Sequence, residues 1–194
     1  MGRALGSNPR GGRFRSFREH YLDFILYLSL MEEIIKKLNI LLSDLQVERA
    51  NLQAMHWNLQ GCHSFITFHN YFNTLYDYNS IHIDAIAEFI RIYRGTPIVS
   101  LSKYVRRASL EELTQESDYS AEACIDKAFV DADLILSQLP QIFDATTSEL
   151  DIGDYMATMQ ADYGKRLWFL RSSMKETKEE KKEETLDENP PVED

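Results

Sequence analysis

The chain has 194 residues and a mass of 22.6 kDa, with 21 basic against 31 acidic side chains and a formal net charge of −10. That length suits one domain with a sizeable core, and the charge excludes a nucleic-acid binder whose whole surface is basic while favouring cations. Two cysteines, Cys62 and Cys124, with no CxxC spacing exclude a zinc ribbon and a disulfide-dense secreted scaffold, and fit a reduced cytoplasm.

Charge is unevenly placed. Residues 1–30 carry five arginines (Arg3, Arg10, Arg13, Arg15 and Arg18) against Glu19 and Asp23, and residues 175–194 carry four lysines against nine acids, which leaves −8 on residues 31–174. The opening MGRALGSNPRGGRFRSFREH is rich in Gly and Arg, lacks apolar periodicity and reads as disordered. The apolar run from Tyr21 to Leu30 is interrupted by Asp23, has no small-residue cleavage site behind it, and falls short of the roughly 20 residues a membrane span needs. Three readings of residues 1–30 stay open: a non-native extension ahead of a natural start at Met31, a flexible basic arm, or a targeting segment. Residues 175–194, KETKEEKKEETLDENPPVED, read as a charged disordered tail. The folded domain is therefore placed at 31–174.

Within it the pattern is helical throughout. Leu38, Leu41, Leu45, Leu52 and Met55 recur at the spacing of one helix face and predict a long helix from Met31 to about Leu59, ended by Gly61. Phe68, Phe72, Leu75, Ile83, Ile86, Ile90 and Tyr93 define a second, stopped by Gly95-Thr96-Pro97. A long connection follows, expected to carry a short helix over Leu110–Gln115. Ser120 is placed to cap a third helix with Ile125, Phe129, Ala132, Leu136, Leu139 and Phe143 inward and a kink at Pro140. Asp151 begins a fourth, whose inward face is Ile152, Tyr155, Met159, Tyr163, Leu167 and Leu170. Four helices with one long second-to-third crossover are the connectivity of an all-α, ferritin-like four-helix bundle.

Such bundles commonly hold two irons through Glu-x-x-His motifs on two helices. No glutamate lies three residues before any of the five histidines, so an ordinary intrachain centre of that kind is excluded. What the chain offers is His56, His69, Asn73, Asp84 and Glu88. At about 100° per residue, the last three lie within roughly 100° of His69 around the second helix and share its stripe, whereas His82 points elsewhere. His69 and Asp84 are nevertheless about 22 Å apart along the axis at 1.5 Å per residue, and metal–ligand bonds are about 2 Å. One chain cannot close a site with this helix alone. Positions 69 and 88, and 73 and 84, are placed symmetrically about Tyr78–Asn79, so an antiparallel pair of these helices sets His69 and Asn73 opposite the partner's Glu88 and Asp84. That self-complementarity is what a two-fold dimer requires, and His56 is positioned to complete each site beside the His69 of its own chain.

The segments Gln53-Ala54-Met55-His56-Trp57-Asn58, Phe68-His69, Asp84-Ala85-Ile86-Ala87-Glu88 and Gly95-Thr96-Pro97 resemble the Dps family of mini-ferritins, over about residues 31–174. The resemblance implies a hollow dodecamer that oxidises ferrous iron, preferably with hydrogen peroxide, at centres shared across two-fold interfaces, and stores ferric mineral inside. It implies His56 and His69 from one subunit and Asp84 and Glu88 from its neighbour as catalytic iron ligands, in a cytoplasmic, membrane-free protein that protects against oxidative stress. Two positions depart from the family pattern. Asn73 stands where an acidic residue is usual, and its neutral amide is expected to weaken the iron site beside His69 and attenuate turnover. The turn at residues 61–65 makes the His56–His69 interval one residue longer.

The alternative function is a catalytically weakened shell that condenses DNA through the basic N-terminal arm. Among neighbouring residues, Asp77 is expected near the two-fold crossing. Trp57, Tyr71, Tyr76, Tyr78 and Trp168 are read as packing or as interceptors of oxidising equivalents, His63 and His82 as surface histidines, and Cys62 and Cys124 as small core or surface residues. Asp144, Glu149, Asp151 and Asp154 are read either as helix-end chemistry or as the lining of a cation entry pore.

Overall fold

The computed structural model describes residues 17–61, 64–115, 117–146 and 149–187, so Cys62 and His63 lie outside the described residues. In chain order it contains α1 (Phe17–Asn58), β1 (Leu59–Gln60), α2 (Phe65–Ile92), α3 (Leu101–Arg107), β2 (Tyr119–Ser120), α4 (Ala121–Ala145) and α5 (Leu150–Asp187). Helices α1, α2, α4 and α5 form the expected bundle, with α3 on the crossover. Every apolar position named above for α1 is buried, as are Phe72, Leu75, Ile86 and Ile90 of α2 and Ile152, Met159, Tyr163, Leu167 and Leu170 of α5. Among the described residues no helix is long and apolar enough to cross a membrane.

Several boundaries differ from those read off the sequence. Helix α1 begins at Phe17 rather than Met31, because no Gly or Pro interrupts residues 17–30. Its first turns expose apolar side chains, among them Leu22, Phe24 and Leu26. Helix α5 runs on to Asp187, through the segment read as a tail, where Glu and Lys are good helix formers and no Pro intervenes. The crossover helix lies at Leu101–Arg107, and residues 110–115 are irregular. Helix α4 continues past Pro140 to Ala145, with Pro140 on its exposed side. Phe143 is 44% exposed, and Ile142 takes the inward position beside it.

Buried polar residues of α1 explain the course of the crossover. Asn39 accepts from the Ile98 N–H at 2.9 Å, Asp44 accepts from the Ser109 and Leu110 N–H groups at 2.5 and 2.9 Å, and Asn51 accepts from the Leu113 N–H at 2.8 Å. A chain segment without regular structure must place its buried amides somewhere, and here one face of α1 receives them in succession. Gln138 of α4 adds a 2.8 Å bond to the second oxygen of Asp44. The crossover ends in a parallel pairing of Leu59 with Tyr119 and Gln60 with Ser120, which sets the end of α1 beside the start of α4. Ser120 then caps α4 by accepting from the Ala123 N–H at 3.2 Å.

Helix α2 ends in a paired 6→1 and 5→2 closure: the Gly95 N–H reaches the Ile90 carbonyl at 2.7 Å and the Arg94 N–H that of Arg91 at 3.0 Å. The left-handed residue is Arg94, with φ 63°, so a residue with a Cβ rather than the adjacent glycine carries that conformation. Gly95 serves a different need, since a Cβ there would come within 2.8 Å of Ile35 and 3.0 Å of the Ile90 carbonyl oxygen.

Candidate metal centre

His56 lies in the last turn of α1 and His69 in the first turns of α2, and their rings stand at a centroid separation of 3.8 Å with 25° between planes. Nδ1 of His56 is 2.8 Å from the carbonyl oxygen of His69, and Nδ1 of His69 is 2.9 Å from the carbonyl oxygen of His56. A carbonyl only accepts, so both Nδ1 atoms carry the proton and each Nε2 is the nitrogen left for a metal. Fixing the tautomer through the other ring nitrogen is how proteins orient histidine ligands and raise their basicity. The sequence placed these histidines side by side; the reciprocal bonds are what the fold adds.

Asn73 follows His69 by one helical turn. Its amide nitrogen donates to Asp77 at 3.0 Å, and its oxygen accepts from the Tyr76 hydroxyl at 2.7 Å. The Tyr76 ring stands edge-on to His56 at 5.5 Å, so Tyr76 ties the amide to the histidine pair. Asp84 and Glu88 lie farther along α2, exposed and four residues apart on one face. Among the described residues, no three His, Cys, Asp or Glu side chains of one chain converge on a common point. Within one chain Trp57 and Trp168 are 68% and 60% exposed, and the Trp168 ring lies 4.7 Å from that of Phe169. In the acidic turn, Asp151 sits in the first turn of α5 and accepts from the Tyr93 hydroxyl at 2.8 Å.

His82 is a correction. It is buried at 2% exposure, with Nδ1 2.9 Å from the Tyr155 hydroxyl. Burial, reinforced by the nearby Arg166 charge, pushes its imidazole down to about 4. It belongs to a polar cluster inside the bundle that went unread in the sequence. Glu48 of α1 accepts from Arg166 Nη1 at 2.8 Å, from the Tyr163 hydroxyl at 2.6 Å and from Asn79 Nδ2 at 2.9 Å. Glu48 is 1% and Arg166 5% exposed. The signal was present: Glu48 falls between Leu45 and Leu52, Asn79 between Leu75 and Ile86, and Arg166 between Tyr163 and Leu170, each on an apolar stripe.

Residues 35–179 match the family model of the ferritin-like domain, which with the bundle topology defines a ferritin-like protein. DNA protection during starvation protein 2 of Bacillus anthracis is 29% identical over 115 residues, covering 56% of this chain and 74% of that protein. The DNA protection during starvation protein of Brevibacillus brevis is 30% identical over 110 residues, covering 56% and 73% respectively. The crystal structure of a Dps protein from Bacillus brevis matches with a TM-score of 0.70 at 27% identity, covering 75% of this chain and 97% of that one. The chain belongs to the Dps family of ferritin-like proteins. Iron storage and protection against oxidative stress are the functions this membership supports.

Proposed function

We propose that the chain is a ferroxidase and iron-storage subunit whose oxidation centres form between two-fold-related copies of a cytoplasmic dodecamer. The reading is carried by the His56–His69 clasp: two imidazoles, 3.8 Å apart, each anchored through Nδ1 so that both Nε2 atoms remain for a cation. One chain supplies this nitrogen half. The carboxylate half, Asp84 and Glu88, lies about 22 and 28 Å from His69 along the same helix and reaches the histidines of a second copy when the two α2 helices pack antiparallel about Tyr78–Asn79.

Ferrous iron is the substrate. Imidazole and carboxylate donors together hold ferrous iron loosely and ferric iron well, which oxidative turnover requires. Hydrogen peroxide is the proposed co-substrate: its O–O bond breaks as it takes one electron from each of two ferrous ions, and hydrolysis of the ferric product releases protons. The clasp holds both imidazoles in place before iron arrives, so little ordering is left to the binding step. Asn73, engaged by Tyr76 and Asp77, brings a neutral amide where a carboxylate would help hold a second iron, so turnover is attenuated rather than abolished.

Anaerobic loading with ferrous iron followed by peroxide, read as ferric absorbance, tests this. Activity is expected in the wild type, more in Asn73→Asp and little in His56→Ala. Equal rates in all three would remove the assigned centre.

A further inference from the structure

Helix α1 starts at Phe17, yet Met31 is the first of its described side chains to be buried. Residues 17–30 therefore project from the bundle as a helical segment about 21 Å long at 1.5 Å per residue. Around its axis Tyr21, Phe24, Ile25 and Leu28 fall within about 100° of one another, and each is between 42% and 57% exposed. Glu19, His20 and Asp23 lie on the other side, together with the exposed Leu26. A contiguous apolar surface of this kind marks a place where something docks. The charge beside it is specific too: residues 1–18 hold five arginines and no acidic residue, in a chain whose body carries −8.

We propose that residues 17–30 are an interfacial helix that lays the Tyr21–Phe24–Ile25–Leu28 stripe into the surface of an anionic lipid bilayer, with the arginines on its headgroup phosphates. An apolar helical stripe flanked by cations is what a helix lying in a bilayer surface needs, and anionic headgroups attract basic segments next to such a helix. At 14 residues the segment falls short of the roughly 20 that a span requires, so it lies in the surface. The other occupants fit half of these observations. Duplex DNA neutralises the arginines but leaves the stripe in water, and the same segment of a second copy covers the stripe but brings five more arginines alongside. An anionic bilayer surface takes both. The acidic body is repelled by such a surface, but over only about 8 Å at physiological salt, and about 20 Å of helix separates Arg18 from Met31.

Flotation of the full-length protein with vesicles tests this, using phosphatidylglycerol mixed with phosphatidylcholine in one arm and phosphatidylcholine alone in the other. The protein is expected to float with the anionic vesicles only, and less as salt rises. Phe24→Gln/Ile25→Gln/Leu28→Gln keeps every charge and a good helix former at each position, and is expected to lower the floated fraction at least about tenfold. Arg13→Gln/Arg15→Gln/Arg18→Gln, which keeps the stripe, is expected to lower it as well. No flotation with anionic vesicles overturns the proposal, and so does flotation undiminished by the first variant, which would make the attraction one of charge alone. Two further measurements name the occupant in that event. Retardation of duplex DNA by a full-length protein that does not float would assign the segment to DNA. A lower assembly mass for the first variant by light scattering, with no flotation of the wild type, would assign the stripe to contacts between copies.

Discussion

His56 and His69 each donate through Nδ1 to the other's backbone carbonyl, at 2.8 and 2.9 Å, so one pair of residues both joins α1 to α2 and presents two Nε2 atoms. Replacing either by alanine therefore has two separable effects. Peroxide-driven iron oxidation is expected to fall by at least the roughly 10–100-fold lost when the support of a metal ligand is removed. Thermal unfolding is expected to show a loss of about 1 kcal/mol, the contribution of one such bond. His69→Gln, whose amide can still donate to the carbonyl, should recover part of the stability but not the oxidation rate.

Asn73 invites the opposite change. In Asn73→Asp the oxygen that accepts from Tyr76 is kept, but the donor to Asp77 becomes a carboxylate facing a carboxylate. Faster iron oxidation than wild type is expected, with a loss of about 0.5–1.5 kcal/mol in the iron-free protein. Asn73→Asp/Asp77→Asn should keep the gain in rate and recover the stability. Kinetics and melting of the two variants side by side check both parts.

Asp44 receives two crossover amides and the Gln138 side chain. Asp44→Ala leaves the Ser109 and Leu110 N–H groups without their acceptor near the core, at a cost of about 1–3 kcal/mol for each buried group left unsatisfied. Urea unfolding should show this destabilisation. Exchange of the Ser109 and Leu110 amides should accelerate while those of α1 stay protected, since the crossover opens before the bundle.

The four bundle helices, the fold class and the His56–His69 pairing could all be read from the chain, because apolar side chains at threes and fours decide which face of a helix is buried. The ends of α1 and α5 could not be placed in that way. Residues 17–30 and 175–187 lack the inward stripe but also lack breakers, and helix propensity alone carries the backbone on. Residues 110–115 show helix-compatible chemistry, yet their amides are taken by Asp44 and Asn51, which commits the segment to an irregular course along α1. Glu48 and Arg166 went unread because charged residues are ordinarily exposed. Their positions on apolar stripes become meaningful only when the partner across the bundle is known.

The acidity of the body bears on DNA. With −8 on residues 31–174, the assembled protein lacking residues 1–30 is expected not to retard duplex DNA in a gel shift at physiological salt, since phosphate contacts need clustered cations. Retardation undiminished by the truncation would place a basic surface within the body.

Sharing of the centre between copies is tested most directly by mixing two inactive proteins. His56→Ala/His69→Ala lacks the nitrogen half and Asp84→Ala/Glu88→Ala the carboxylate half. After unfolding and reassembly together, half of the dimers are mixed, and each mixed dimer contains one centre with wild-type histidines facing wild-type carboxylates. Peroxide-driven iron oxidation by the mixture is expected to return to about a quarter of the wild-type rate. Mixed assemblies with no more activity than either parent would contradict a centre built across the two-fold interface.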